Sequence, residues 1–145
     1  MIEQDTVKLL RECDSGIKMG IGSIEDVYKY VTSENMKTRL DASKREHEKL
    51  SEEIENALSR FGDDGKNPNP IAKGMSHLKT EMKLLMNNKS DKTIADLMTD
   101  GCNMGTKSLA RYLNQYEAAD EKSKDIAKRL ISLEDKLCFD MREYL

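Results

Sequence analysis

The sequence predicts an all-α fold, a bundle of four long helices, on three observations. Apolar residues recur at steps of three and four over long stretches, which is the period of an amphipathic helix. Charged residues make up 35% of the 145-residue chain, with both signs interspersed, whereas aromatics make up only 5%, a profile of charged outer faces over aliphatic stripes. Both prolines fall in one tract, GDDGKNPNP, the only loop-like stretch of any length.

The first helix is expected over residues 5–31, with Val7, Leu10, Cys13, Ile17, Ile24, Tyr28 and Val31 on one stripe. The second is expected over residues 34–61. There Met36, Leu40, Ser43, His47, Leu50, Ile54, Ala57 and Phe61 alternate steps of four and three. Ser33 is placed to cap its start, and Gly62 to end it in a left-handed conformation. A segment of ~28 residues at ~1.5 Å each is roughly 42 Å long, the length of a bundle helix. Asn69 followed by Pro70 reads as an N-cap with proline at the first helical position, opening a short helix over residues 70–86. The third long helix is expected over residues 90–117 and the fourth from Asp120 to the C-terminus. Short turns after the first and third helices imply antiparallel hairpins, and the long connection between them a crossover.

Composition narrows the functional classes. A chain of this size is one ordinary domain, residues 1–145, able to bury a core without disulfides. The net charge of −3 leaves no electrostatic footprint for nucleic acid or an anionic membrane. MIEQDTVKLL lacks the features of a signal peptide, and no apolar run approaches a membrane span. Cys13, Cys102 and Cys138 are too few and odd in number for a disulfide scaffold. The expectation is a cytoplasmic protein with reduced thiols.

The frame C-x-x-G-x-K occurs twice, as CDSGIK from Cys13 and CNMGTK from Cys102, an offset of 89 residues. Arg39-Leu40 matches Arg129-Leu130 at nearly the same offset. An approximate two-fold relating two helical hairpins accounts for both matches; coincidence between amphipathic helices is the alternative. A glycine inside a helix costs ~1 kcal/mol relative to alanine. Gly16 with Gly20, and Gly101 with Gly105, are each one turn apart on one face, which favours close contact between the first and third helices.

With these glycines the chain resembles the ferritin-like superfamily, and within it the small bacterial ferritin-like proteins of undetermined role. Their first helix reads D-G-E-K-G-F and then A-E-D-V; Gly16-Ile17-Lys18 and Ile24-Glu25-Asp26-Val27 occupy those places here. The resemblance implies a ferritin-like bundle of two antiparallel hairpins with a long crossover that contains the short extra helix, and it implies homo-oligomers. It also implies a di-iron centre, with one carboxylate from each of two helices and a Glu-x-x-His pair from each of the other two. The lone glutamates would follow the helix glycines, where Ile17 and Thr106 stand. The pairs would occupy Lys44 with His47, and Glu134 with Leu137. Of six ligands only His47 and Glu134 remain, and no Glu-x-x-His occurs in the chain. The six positions therefore read as a vestigial, structural centre with no metal and no cofactor. Lys44 either pairs with Glu134 across the bundle or snorkels to solvent from the edge of its stripe.

Other constellations are weaker. Cys13, Cys102 and His47 are chemically suited to zinc if they converge, but no CxxC spacing supports them. His77 in SHLKTEM is a phosphotransfer candidate by composition only. Met75, Met82 and Met86 form an adaptable surface or a core stripe. No nucleophile elbow, Walker loop or dinucleotide fingerprint is present. The expected role is non-enzymatic, a structural or interaction module with an unknown protein partner. The alternative is a metal-binding or redox protein with a non-standard centre.

Overall fold

The computed structural model describes residues 2–68 and 91–145. The helix expected over 70–86, its Asn69 cap, His77 and the three crossover methionines lie outside the described residues. Among the described residues there are four α-helices, α1 (Ile2–Tyr28), α2 (Glu34–Ser59), α3 (Asp91–Gln115) and α4 (Glu121–Met141), and a 3-10 turn at Arg142–Tyr144. They form an all-α bundle of two hairpins, α1 with α2 and α3 with α4.

Polar contacts at the two ends set the helix directions. The Asp91 carboxylate, at the start of α3, accepts from the Thr32 N–H, the Thr32 hydroxyl and the Ser33 N–H at 2.9, 2.8 and 3.0 Å. At the other end, Asp5 accepts from the Ala118 N–H at 3.0 Å and the Thr6 hydroxyl from the Asp120 N–H at 2.8 Å. Hence α1 and α4 run one way and α2 and α3 the other, and the chain between α2 and α3 joins opposite ends of the bundle.

Local sequence accounts for the helix boundaries. The Ser33 hydroxyl accepts from the Met36 N–H at 3.2 Å, and the Asp120 carboxylate from the Ser123 N–H at 2.8 Å, each satisfying an orphan donor of a first turn. At the end of α2 the Asp63 N–H reaches the Leu58 carbonyl and the Gly62 N–H reaches that of Ser59, the paired bonds of a Schellman turn. Gly62 adopts φ +67° there. This turn ends α2 before Phe61, which is exposed rather than in the expected stripe, and Leu58 takes the core position. Helix α1 ends three residues earlier than expected because its last turn tightens, with Tyr30 and Val31 donating to the carbonyls of Val27 and Tyr28.

The tract after α2 is tied across the outside of α1. Asp63 meets Arg11 at 2.7 Å, Lys66 meets Glu12 at 2.6 Å, and the Lys66 N–H donates to Asp14 at 2.9 Å. Asp14 is buried beneath this strap and also accepts from Lys18 at 2.7 Å.

The core divides into two apolar clusters. One contains Leu9, Leu10, Cys13, Ile17, Leu50, Ile54, Leu58, Leu109, Ile126 and Leu130. The other contains Ile24, Val27, Met36, Leu40, Ile94, Met98, Cys102, Leu137, Cys138 and Met141. The offset of the repeat recurs in two charged cross-links, one from α2 to the turn after α4 and one between α2 and α4. Arg39 meets Glu143 at 2.7 Å, and Arg129, ninety residues after Arg39, grips Glu53, ninety residues before Glu143, with two guanidinium nitrogens. Both pairs are half-exposed and contribute little stability. No helix of the described residues is long and apolar enough to cross a membrane.

Candidate functional site at the centre of the bundle

The level between the two apolar clusters is polar. His47 projects from α2 with no exposed surface, and Glu134 projects from α4 with 7% exposed. Their Nε2 and Oε1 atoms are 3.2 Å apart. The other ring nitrogen, Nδ1, lies 2.7 Å from the Ser43 carbonyl one turn back on α2. A carbonyl only accepts, so Nδ1 carries a hydrogen. Helix α1 makes room for the pair at Gly20. A Cβ built there would stand 3.1 Å from the Glu134 Oε1 and 3.3 Å from the imidazole, so a side chain at this position would require the pair to shift by a few tenths of an ångström. From α3, the Cys102 thiol lies near enough to Glu134 to feel its charge.

These contacts set the electrostatics. Burial favours the neutral form of the His47 ring. The hydrogen bond to Glu134, that carboxylate's charge and the Ser43 carbonyl outweigh it, and the ring's pKa lies above its ordinary value. Burial, then the charge of Glu134, raise the Cys102 thiol well above its usual range. Burial with the neighbouring Glu12 and Asp14 pushes Cys13 up to about 12. Neither thiol is a thiolate near neutrality, so neither is poised as a nucleophile.

A groove of about 370 Å³ opens between α1 and α3, and Glu134 lies at its floor with Leu130 and Leu137. Gly16, Gly20, Gly101 and Gly105 all line it, with Met19, Leu97 and Met104 at the walls. The glycines thus border a groove where close contact between α1 and α3 was expected. A Cβ on Gly101 would meet nothing within 4 Å, and one on Gly105 would make ordinary contacts with Glu134. Gly101→Ala is therefore expected to stabilise the protein by about 1 kcal/mol in chemical denaturation, through helix propensity alone. A loss of stability would show that this position packs against something.

The six positions of the vestigial centre divide. His47 and Glu134 meet at the midplane, and Ile17 and Leu137 are buried in the clusters on either side of it. Lys44 does not join them. Its ammonium is 3.9 Å from Glu48 on the same helix, with its side chain about a third exposed. Its long stem lets the charge reach water, and Glu134 is taken by His47. Thr106 is half-buried on α3, and its hydroxyl donates to the Asn103 carbonyl at 3.1 Å. Cys13 and Cys102 sit in different core clusters. Among the described residues no three His, Cys, Asp or Glu side chains gather as a metal would require.

Two features were not anticipated from the sequence: the buried Asp14 under its strap, and the groove. For Asp14 a signal existed, since a lone carboxylate beside Cys13 on an apolar stripe needs a partner. No family model, no curated protein and no solved structure matches the chain. Its geometry is that of an all-α four-helix bundle of two hairpins with a buried histidine–glutamate pair at the centre.

Proposed function

We propose that the protein is a non-enzymatic, ferritin-like bundle with a structural or protein-interaction role, in which a hydrogen-bonded ion pair stands at the level of a metal centre. The observation that carries this reading is the use of both ring nitrogens of His47 inside the protein, one by the Ser43 carbonyl and one by Glu134. A metal at this level would have to displace the Glu134 contact and draw further ligands from Ile17 and Leu137, which have no ligating atom, and from Thr106, whose one hydroxyl is bonded to its own helix. The helix directions, with α1 and α4 opposed to α2 and α3, support the ferritin-like part of the reading. Self-association into a symmetric oligomer belongs to the same proposal; Met104, 71% exposed at the rim of the groove, is a suitable apolar contact.

The test is metal retention by tag-free protein. After anaerobic incubation with Fe(II), Mn(II) or Zn(II) and desalting, elemental analysis is expected to find no stoichiometric metal, and Fe(II) oxidation by oxygen should run at its uncatalysed rate. Two irons per chain would overturn the reading. Light scattering across a hundredfold concentration range tests the oligomer separately, and a constant monomer mass would remove that part alone.

A further inference from the structure

We propose that the His47–Glu134 pair is a proton-held latch: one proton between the two side chains keeps Glu134 turned into the centre of the bundle, and its loss releases the carboxylate into the groove between α1 and α3. The argument begins with hydrogen count. Nδ1–H is committed to the Ser43 carbonyl at 2.7 Å, so a neutral ring would present the Nε2 lone pair to the Glu134 Oε1 at 3.2 Å. Two acceptors cannot bond each other. The contact needs one more hydrogen, carried by Nε2 or by the carboxyl.

Among the described residues nothing else at this level supplies a compensating charge. Helix α1 presents Gly20, α2 the Ser43 hydroxyl and carbonyl, and α3 the Cys102 thiol, which burial and Glu134 keep protonated. On α4 the other titratable neighbours of the thiol are Cys138 and Asp135, neither a cation. Lys44 on α2 is directed to Glu48. Without the shared proton, a buried carboxylate faces a buried lone pair, and both lose their hydrogen bond at full desolvation cost. The raised pKa of His47 is the same coupling seen from the ring.

The structure also provides an exit. Towards α1 the carboxylate already uses the room that Gly20 leaves, lying 3.1 Å from where a Cβ would stand. Towards α3 there is space, because Gly105 leaves ordinary contact distance and Gly101 borders open room in the groove whose floor Glu134 forms. A side-chain rotation towards α3 brings the carboxylate to water without moving a helix. The released proton goes to solvent, and no other bond changes.

The sign follows from linkage. A histidine whose folded pKa is raised contributes stability that is fully present below its unfolded value of 6.5 and is lost as pH rises through the folded value. The test uses the full chain with nitrogen-15 labelled histidine and His77→Gln to leave one ring signal. The His47 nitrogens are expected to titrate with a midpoint above 6.5, and the urea midpoint to fall across the same window. A soluble gadolinium chelate should relax the Glu134 side-chain protons faster on the alkaline side. In Glu134→Gln the amide donates to the Nε2 lone pair, so the ring midpoint should drop below 6.5 and the urea midpoint should no longer fall across that window. A wild-type ring midpoint at or below 6.5, equal alkaline losses in wild type and Glu134→Gln, or Glu134 protons relaxed equally at both pH extremes would each overturn the latch.

Discussion

Glu134→Leu is expected to destabilise the bundle by about 3–5 kcal/mol, and His47→Leu combined with Glu134→Leu to recover most of that loss. The single substitution leaves the fully buried His47 Nε2 without the carboxylate 3.2 Å away. The double substitution replaces two polar groups with apolar ones of similar size, between two apolar clusters that already flank this level. Gly20 gives the leucines the clearance that the imidazole and carboxylate use now. A denaturant double-mutant cycle at pH 7 measures the coupling; independent, additive losses would mean that the pair contributes no net interaction. Lys44→Met supplies the contrast. Its 3.9 Å contact with Glu48 is at the surface, so it should change stability by less than about 1 kcal/mol.

Ile17→Ala is expected to cost about 2–5 kcal/mol, against less than about 1 kcal/mol for Thr106→Ala. The two residues hold equivalent places in the repeated C-x-x-G-x-K frame, so the sequence ranks them alike. Ile17 has no exposed surface and packs in the cluster with Leu50, Ile54 and Leu130. Its truncation leaves a cavity that a close-packed core fills only partly. Thr106 is half-buried and its hydroxyl bonds its own helix, so its loss removes one weak hydrogen bond and raises helix propensity. Equal losses in thermal and chemical unfolding would restore the symmetric view of the two frames.

The repeat itself was legible, and the structure shows how far it extends. Cys13 and Cys102 are both buried, and Gly16 and Gly105 both line the groove. The matched pairs Arg39–Glu143 and Arg129–Glu53 tie α2 to the turn after α4 and to α4 itself. The remaining positions diverge because the surroundings differ. Among the described residues only the first copy has a strap across it, and Asp14 is buried there while Asn103 is exposed on α3.

Helices and caps follow from the sequence because their causes are local. Period, the Ser33 and Asp120 side chains, and the positive φ that glycine tolerates at Gly62 each act within one or two turns of chain. Their ends were less legible, as Phe61 shows, because a Schellman turn competes with one more residue of stripe. The expectation that His47 and Glu134 occupy the centre came from a resemblance, but their pairing did not. Whether Glu134 meets His47 or Lys44 depends on rotation and register between α2 and α4, and on the length of a lysine stem that can reach water. Likewise a glycine row permits either close packing or a gap, and only the placement of α1 against α3 made it a groove with Glu134 at its floor. Local backbone chemistry settled the elements. Distances between side chains far apart in sequence settled the site, because a contact of about 3 Å is decided by helix placements that no single segment encodes.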